Sequence, residues 1–306
     1  MQHPVHRVPT EPAILRFLEV CASFYPDDAV SASIGQQRQW YDALCAHFDR
    51  PLPDGMTTED DLVEGRIPVR RYRPAKVTTA TVLYYIHGGG FVVGSLDSHH
   101  AICAELAEHA GAELVSVDYR LAPENVWPAP HDDCFALLQH LLADKRRVVL
   151  IGDSAGGNLS AGLAVRARDQ GLDGIAGLAL VYPALGGDLL SGSYAEMANA
   201  PGLTTSDVAY YRAVLQAPAD DPVAHPLRAS SLAGLPPAFV SVAHFDPLRD
   251  DGRAFAAGLA QAGGEVWFRE EPQMVHAWLR ARHMSEGARA GFAALCAAVA
   301  RFAASP

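Results

Sequence analysis

Short apolar runs that alternate with helical segments place the strongest constraint on the fold of this chain. Most of the runs are continuously apolar, which is typical of strands buried on both faces of a parallel sheet. They are TVLYYI (81–86), ELVSVD (113–118), RVVLIGD (147–153), GLALVYP (177–183), AFVSVAHFD (238–246) and EVWFREE (265–271). Segments with helical spacing lie between them, near 98–110, 130–143, 156–170, 250–263 and 285–303. The alternation predicts an α/β fold with a mostly parallel central sheet, helices on both faces and ligands at the carboxyl ends of the strands.

Three regions depart from this alternation. EPAILRFLEVCASF and IGQQRQWYDALCAHF, within residues 11–48, have helical spacing, and DLVEGRIPVRRYRP (61–74) alternates like a pair of strands with one solvated face. The longest interruption is 184–237, which contains one helical piece, TSDVAYYRAVLQ, among proline- and glycine-rich turns. We interpret it as an insertion over the carboxyl edge of the sheet.

Composition narrows the possible partners. The chain has 306 residues, of which 49% are hydrophobic, so it can bury a large core. A net charge of −11 without a block of basic residues disfavours nucleic acid as a partner. Five cysteines without a CxxC pair favour a reducing compartment. The first residues lack a signal-peptide pattern and no run of ~18 apolar residues occurs, so we expect a cytoplasmic protein with no membrane partner.

The turn GDSAG (152–156) follows the strand RVVLI and precedes a helix. This is the context that a G-x-S-x-G nucleophile elbow requires, because glycines allow the tight strand-to-helix turn that exposes the serine. The helix N-terminus would stabilise negative charge beside Ser154. The simpler alternative is a glycine-rich turn with an incidental serine.

A serine nucleophile needs a histidine base and an acid that orients the base. In hydrolases with this elbow the order is serine, acid, histidine, which leaves His276 and His283 as candidate bases. We favour His276, which lies in a loop after the last strand, whereas His283 falls in a predicted helix. Among the acids we favour Asp246, at the end of the strand AFVSVAHFD, over the Asp250–Asp251 pair, which is expected to cap the next helix.

The glycine-rich stretch HGGGFVVGS (87–95) follows the strand TVLYYI and fits either a phosphate cradle or an oxyanion hole. The dinucleotide pattern needs glycine at 93, where valine stands, and no Gly-Lys dipeptide occurs. With a serine, an acid and a histidine available in the right order, we favour the oxyanion hole. No metal site is predicted, since HExxH is absent and the adjacent His99 and His100 lack an obvious third ligand.

Five motifs in this order resemble the hormone-sensitive-lipase-like family of bacterial carboxylesterases: HGGGFVVGS, DYRLAPE (118–124), GDSAGG, DPLRDDG (246–252) and VHAW (275–278). The resemblance runs from about residue 65 to the C-terminus. It implies an α/β-hydrolase fold with a catalytic domain over 56–306 and a helical cap built from segment 1–55 and the 184–237 insertion. It also implies no cofactor and hydrolysis of carboxylic esters with short to medium acyl chains.

Carried over by position, the resemblance makes Ser154 the nucleophile, Asp246 the acid and His276 the base. It places the oxyanion hole at the backbone N–H groups of Gly89, Gly90 and Ala155. Supporting roles fall to His87, Gly88 and Asp153. It also implies that Arg120 and Glu124 fasten the DYRLAPE loop.

Two positions depart from the family pattern. Ala277 follows the base where glycine is common, and Trp278 stands where phenylalanine is frequent, which predicts a tighter wall beside the base. We further expect aromatic residues of the cap to line a cleft above Ser154, namely Phe17, Phe24, Trp40, Tyr41, Tyr210 and Tyr211.

Other functions stay open at this point. The same triad could hydrolyse an amide, a lactone or a carbamate, and a non-catalytic binding protein could share the fold. The expected partner is a small-molecule ester, whose identity the sequence does not give. The oligomeric state is undetermined, and a homodimer is possible.

Overall fold

The structure, a computed structural model, describes residues 8–26, 29–143 and 146–304. Within these residues eight strands form one sheet in the spatial order β1-β2-β4-β3-β5-β6-β7-β8. Strand β2 pairs antiparallel with β1 on one side and with β4 on the other, and every other neighbouring pair is parallel. The strands are β1 (Thr57–Val63), β2 (Ile67–Arg73), β3 (Val82–Ile86), β4 (Leu114–Val117), β5 (Val148–Asp153), β6 (Ile175–Val181), β7 (Ala238–Phe245) and β8 (Val266–Val275).

Helices cover both faces of the sheet. The described α-helices are α1 (Pro12–Ala22), α2 (Ile34–Phe48), α3 (His100–Ala110), α4 (Ala129–Ala143), α5 (Ala155–Asp169), α6 (Gly192–Glu196), α7 (Thr205–Leu215), α8 (Arg249–Gln261) and α9 (Glu286–Ala304). Successive side chains of a strand point to opposite faces, so Tyr85 packs in the cluster that contains residues of α3 and α9, while Tyr84 packs with residues of α4, α5 and α8. This arrangement confirms the predicted α/β fold with a mostly parallel sheet.

The strand order brings two glycine-rich loops together. Strands β3 and β5 are neighbours, with Ile86 opposite Gly152, although β4 separates them in the chain. The chain therefore leaves β3 toward one edge of the sheet and resumes at β5 on the other side. Ligands of open α/β sheets bind where the order reverses in this way. The HGGG loop after β3 and the GDSAG turn after β5 meet at this point.

Strand β8 is longer than the predicted 265–271 and continues to Val275. It lies at the edge of the sheet and pairs only with β7, so Pro272 does not have to donate a ladder hydrogen bond on the open side. A register shift between Ala243 and Phe245 ends with Phe245 opposite Val275. The extension therefore carries the chain to the carboxyl edge of the sheet immediately before His276.

The two cap segments contact the edge of the sheet at which Ser154 lies. From α2, Arg38 donates hydrogen bonds to the carbonyl oxygens of Val92 (2.9 Å) and Ala122 (3.2 Å), and it forms an ion pair with Glu124 (2.7 Å). Glu124 thus fastens the DYRLAPE loop to the cap, while Arg120 pairs with Asp133 of α4 at 2.7 Å. The boundaries of cap and catalytic domain stay a prediction.

Among the described helices, α9 is long and apolar enough to cross a membrane by length and composition alone. One face of it is buried, through residues that include Phe292, Leu295 and Val299. The same three residues belong to the core beneath the sheet. Its hydrophobicity therefore has an explanation in the packing of the core.

Candidate active site

Ser154 lies at the turn from β5 to α5 in a backbone conformation that side-chain-bearing residues rarely adopt, with φ +54° and ψ −116°. Its N–H donates to the carbonyl oxygen of Val181 at 2.9 Å, which ties the turn to the neighbouring strand β6. Such strain persists only where the surrounding structure enforces it, and it concentrates at functional sites. The turn lifts the hydroxyl of Ser154 into a cavity.

Asp246 and His276 approach Ser154 from the ends of β7 and β8. Nε2 of His276 lies 3.0 Å from Oγ of Ser154, and its Nδ1 lies 2.7 Å from Oδ2 of Asp246. The ionised carboxylate can only accept, so Nδ1 carries the ring proton and Nε2 is free to accept the serine proton. The other oxygen of the fully buried Asp246 accepts the N–H of Leu248 at 2.8 Å. Hence the carboxylate of Asp246 fixes both the orientation and the tautomer of the His276 ring.

The HGGG loop presents backbone donors beside Ser154. Within the described chain, the N–H groups of Gly89 and Gly90 donate to no protein acceptor. Ala155 is the first residue of α5, so its N–H has no helical partner either. Gly89 and Gly90 have φ values of +127° and +59°, and a Cβ on Gly90 would overlap the ring of Tyr211. The glycines are thus required by both the backbone conformation and the close approach of the cap.

Asp153 supports this loop from beneath. Its Oδ1 accepts the N–H of Gly88 at 2.9 Å and the hydroxyl of Tyr85 at 2.8 Å. Burial by itself would raise the pKa of this carboxyl, but nearby His99 and Arg280 outweigh burial and hold the pKa well below its usual range. Asp153 is therefore an anion that anchors Gly88, the first glycine of the loop.

His87 stacks on Tyr119, with ring centroids 4.3 Å apart, and its Nδ1 lies 2.8 Å from the carbonyl oxygen of Gly88. Burial lowers the pKa of His87 to about 4. The ring is therefore neutral at physiological pH, and it stiffens the strand-to-loop junction without adding charge.

The other residues considered as triad members are occupied elsewhere. His283 ends a short 3₁₀ helix over 278–283 and pairs with Glu105 at 3.0 Å. Asp250 accepts the N–H of Ser193, and Asp251 accepts the N–H groups of Leu185 and Gly186, so both fasten the insertion to the first turn of α8. In the described ranges no three His, Cys, Asp or Glu side chains are grouped so that they could share a metal ion.

Comparison with known proteins gives a consistent result. The family described as the alpha/beta hydrolase fold matches residues 83–280. The chain is 41% identical over 228 residues to the carboxylesterase NlhH of Mycobacterium tuberculosis, a match that covers 70% of this chain and 71% of the relative. Among solved structures, the esterase rPPE with bound (S)-Ac-CPA has a TM-score of 0.91 at 27% identity, with all of both chains covered. An esterase of the bacterial hormone-sensitive lipase family has a TM-score of 0.86 at 28% identity, with 95% of this chain and 98% of that chain covered.

The chain belongs to the α/β-hydrolase family, in its hormone-sensitive-lipase-like group. It is a carboxylic ester hydrolase.

A cavity of about 700 Å³ lies above Ser154 in this hydrolase. Ser154, His276 and the two glycines of the HGGG loop belong to its wall, and α1, α2 and the insertion contribute many of the other lining residues. Three of the expected aromatic residues line it: Phe17, Tyr41 and Tyr211. Tyr25 and Phe91 also line it, although the sequence analysis did not select them.

The expectation is wrong for Phe24, Trp40 and Tyr210, which do not line the cavity. Phe24 packs on the ring of His47 (5.5 Å between centroids), and Trp40 meets the edge of Tyr25 at 6.4 Å. The hydroxyl of Tyr210 accepts a hydrogen bond from the side chain of Gln37. These residues hold the cap together, since an aromatic residue on a cap helix can face either the cleft or the neighbouring cap segment.

Trp278 is also not a wall of the cavity, contrary to expectation. It is completely buried behind Tyr182, whose ring centroid lies 6.1 Å from that of Trp278 and 4.7 Å from that of His276. Trp278, which is larger than the phenylalanine common at this position, therefore supports Tyr182, and Tyr182 packs against His276. Ala277, the other departure from the family pattern, takes up φ +62°, a conformation that favours glycine.

Arg280, a buried residue in the cavity wall, was not predicted from the sequence. It donates to the carbonyl oxygen of Ser98 (2.9 Å) and to the hydroxyl of Tyr41 (2.9 Å). It lies one helical turn after His276, and this spacing was the only sequence signal that it lies near the site. Arg280 thus joins cap helix α2 to the segment that carries the base.

Proposed function

We propose that this enzyme is a serine carboxylesterase in which Ser154 attacks the ester, His276 transfers protons and Asp246 orients His276. The observation that carries the proposal is the continuous hydrogen-bonded series Ser154–His276–Asp246, with distances of 3.0 and 2.7 Å, in the wall of the cavity. A nucleophile, a base and an acid in this order form the minimal apparatus for acyl transfer.

The first half-reaction forms an acyl-enzyme. Oγ of Ser154 bonds to the ester carbonyl carbon while its proton passes to Nε2 of His276, and the carbonyl electron pair moves onto oxygen. We assign the donation of hydrogen bonds to this oxyanion to the N–H groups of Gly89, Gly90 and Ala155. Collapse of the intermediate breaks the bond to the alkoxy oxygen, which takes the proton from His276 and leaves as an alcohol.

The second half-reaction releases the acid. Water attacks the acyl carbon and gives a proton to His276, and a second tetrahedral intermediate forms in the same oxyanion hole. Its collapse breaks the bond to Oγ of Ser154, which recovers the proton. The acid leaves and the serine hydroxyl is restored, so the only net reactants are ester and water.

We propose short to medium acyl chains as substrates. The cavity is enclosed by cap residues such as Phe17 and Tyr211, and its volume of about 700 Å³ sets a limit on chain length. Each methylene that fits an apolar pocket adds ~0.8 kcal/mol of binding, and further methylenes gain nothing once the pocket is full. Rate against chain length should therefore rise and then fall.

The same groups could open an amide, a lactone or a carbamate, because all of them pass through a tetrahedral oxyanion. We favour esters since the similar curated relative is a carboxylesterase. A purely binding role would leave the strained Ser154 and its aligned base without a purpose. A panel of amides and lactones beside esters of equal acyl length separates these functions.

The proposal is tested with 4-nitrophenyl esters from acetate to palmitate. Wild-type kcat/KM should peak at a short or medium chain, and Ser154→Ala should lower kcat by a factor of about 10⁴ or more. Ser160→Ala, a change at another buried serine of α5, is the matched control. A fluorophosphonate should label the peptide that contains Ser154 once per chain. Wild-type turnover by Ser154→Ala, or a maximum at palmitate, would contradict the proposal.

We also propose that the enzyme acts in the cytoplasm on a small-molecule ester. All five cysteines are free thiols, as a reducing compartment would keep them. Cell fractionation followed by immunoblotting tests the location, and a periplasmic or secreted pool would contradict it.

A further inference from the structure

Three arginines in the cavity wall have no carboxylate partner. Arg212, Arg228 and Arg280 all line the cavity, and none of them forms an ion pair within the described ranges. Other arginines with low exposure do, as Arg249 does with Glu196 and Arg282 does with Glu105, both at 2.6 Å. An enclosed guanidinium without a counter-charge is costly unless something else satisfies it.

Neutral groups satisfy two of the three. Arg280 donates to Ser98 and Tyr41, as described above. Arg212 donates to the carbonyl oxygen of Gly187 and to the hydroxyl of Tyr194, both at 2.9 Å. Arg228 also lines the cavity, but it is exposed, and its guanidinium donates to no protein acceptor in the part of the chain that the structure describes. It therefore keeps five N–H donors available on the side of the cavity.

Arg228 is close to the reacting serine through a short series of contacts. The N–H of Ala184 donates to the carbonyl oxygen of Ser154 at 3.3 Å. The N–H of Leu227 donates to Leu185, the next residue, at 3.0 Å. Arg228 follows Leu227 at the end of a short 3₁₀ helix over 226–228. One bound molecule of moderate size could therefore touch both Ser154 and Arg228.

Positive charge accumulates at this end of the cavity. His225 also lines it, and burial together with the charges of Arg212 and Arg228 lowers the pKa of that imidazole. Both guanidinium groups thus act on the same ring. The neutral imidazole adds a further hydrogen-bonding group to the two arginines.

The nearby acids do not neutralise Arg228. Asp221 accepts the N–H groups of Val223 and Ala224, and Asp207 is held by Thr204 in the capping box of α7. The backbone N–H of Leu190 and the charges of Arg228 and Arg212 lower the pKa of Asp188, but this carboxylate is fully exposed and forms no ion pair with either arginine, so solvent screens its charge. The carboxylate of Asp251 is occupied by the N–H of Leu185 and the hydroxyl of Tyr194, which it accepts at 2.6 and 3.0 Å.

We propose that the end of the cavity formed by Arg228, Arg212 and His225 binds a carboxylate of the substrate, so that the favoured substrates are esters that also carry a carboxylate. Monoesters of short dicarboxylic acids are the simplest members of this class. A guanidinium binds a carboxylate through two parallel charge-assisted hydrogen bonds, which are stronger than bonds between neutral groups. The inference rests on the proposed function, because the ester must reach Ser154 while its carboxylate reaches Arg228.

The test compares each charged ester with a neutral counterpart of the same shape. Monoethyl succinate, glutarate and adipate are measured against the ethyl esters of the matching amic acids, in which a carboxamide replaces the carboxylate. A second arm uses 3-acetoxypropanoate and 3-acetoxypropanamide, with the charge on the alcohol side. In the wild type, at least one charged ester should have a kcat/KM about 10-fold or more above that of its amide counterpart. A preference in the first arm means that the acyl side of the ester faces Arg228, and a preference in the second arm means that the alcohol side does.

Variants locate the effect. Arg228→Gln should bring the charged-to-neutral ratio close to one, mainly through KM, and Arg228→Lys should retain part of it because the charge persists without the bidentate geometry. Arg289→Gln, at an exposed arginine of α9, should keep the wild-type ratio. Free glutarate should inhibit the wild type more strongly than the uncharged diamide glutaramide, and this comparison needs no variant to fold.

The outcomes separate the two proposals. If the folded wild type hydrolyses neutral ethyl esters but shows no preference for a carboxylate at any chain length, the carboxylate site is wrong and the esterase function stands. A preference that survives in Arg228→Gln also overturns the site. If the folded wild type hydrolyses no ester, the proposed function itself fails.

Discussion

Nδ1 of His276 lies 2.7 Å from Oδ2 of Asp246, although the two residues are 30 positions apart in the chain. The preceding residues, Val275 and Phe245, are register partners on the neighbouring strands β8 and β7. Each residue is thus the first after its strand, and the pairing of the strands places both at the same edge of the sheet. The acid–base contact is a direct consequence of strand register.

This contact predicts the effect of Asp246→Asn. The amide would favour the wrong tautomer of His276 and would not stabilise the imidazolium, so kcat should fall by a factor of about 10⁴. Asp250→Asn, at an acid of the α8 first turn, is the matched control and should stay within a few-fold of the wild type. Steady-state kinetics with 4-nitrophenyl butyrate measure both. Comparable losses in the two variants would count against a specific role for Asp246.

Gly90→Ala should impair catalysis more than folding. Gly90 has φ +59°, and the added methyl group would overlap the ring of Tyr211, which displaces the oxyanion loop. Loss of one well-placed oxyanion donor costs about 10²–10³-fold in kcat. Gly65→Ala provides the control, since Gly65 has a similar φ of +67° but open space around it. Kinetics and urea unfolding of both variants separate the catalytic loss from backbone strain, and equal activity in the two variants would contradict the assignment.

Ala277→Gly should stabilise the enzyme. Ala277 has φ +62° and ψ +21°, where a Cβ is unfavourable. Relief of this strain, less the entropy that glycine gains in the unfolded chain, should raise the free energy of unfolding by roughly 0.5–1 kcal/mol. Ala281→Gly, in the 3₁₀ helix that follows, should instead lower it. Urea denaturation measures both, and a less stable Ala277→Gly would show that the neighbours of Ala277 have adapted to the methyl group.

Acid should destabilise the fold through buried histidines. Burial lowers the pKa of His87 to about 4 and that of His131 to about 3, below the ordinary 6.5. The unfolded chain binds these protons as pH falls below 6.5 whereas the folded chain does not, so their stabilising effect is complete above pH 6.5. It declines toward pH 4 by up to ~1.4 kcal/mol per pH unit for each histidine.

His131→Gln should therefore flatten this pH dependence, and His109→Gln, at an exposed histidine, serves as its control. Free energies of unfolding measured by urea between pH 6.5 and 5 give the slopes. A slope that His131→Gln leaves unchanged would mean that His131 takes up its proton equally in both states.

Much of the architecture could be predicted because it depends on local pattern. Continuous apolar runs such as TVLYYI became buried parallel strands, since a strand covered on both faces must be apolar at every position. The edge strand β8 was predicted too short. Beyond Glu271 the strand continues with Pro272 and Gln273, which interrupt any continuous apolar signal.

The cavity wall was predictable only in part. Aromatic residues of the cap can be recognised in the sequence, but the directions of their side chains cannot. In the structure Tyr41 and Tyr211 line the cavity, whereas Trp40 and Tyr210 pack within the cap. Arg228, one of the three described cavity-lining arginines that form no ion pair, lies in no recognisable motif. Whether an arginine has a carboxylate partner depends on distances between segments that are far apart in the chain.

The α/β class, the GDSAG turn and the glycine-rich loop follow from the sequence alone, because strand burial and tight turns are properties of neighbouring residues. The position of β3 beside β5 and the pairing of Phe245 with Val275 arise only in the folded chain, and they bring Ser154, Asp246 and His276 within hydrogen-bonding distance. Strand order and register depend on the packing of the whole sheet against its helices. For that reason no single segment of the sequence contains the geometry of the site.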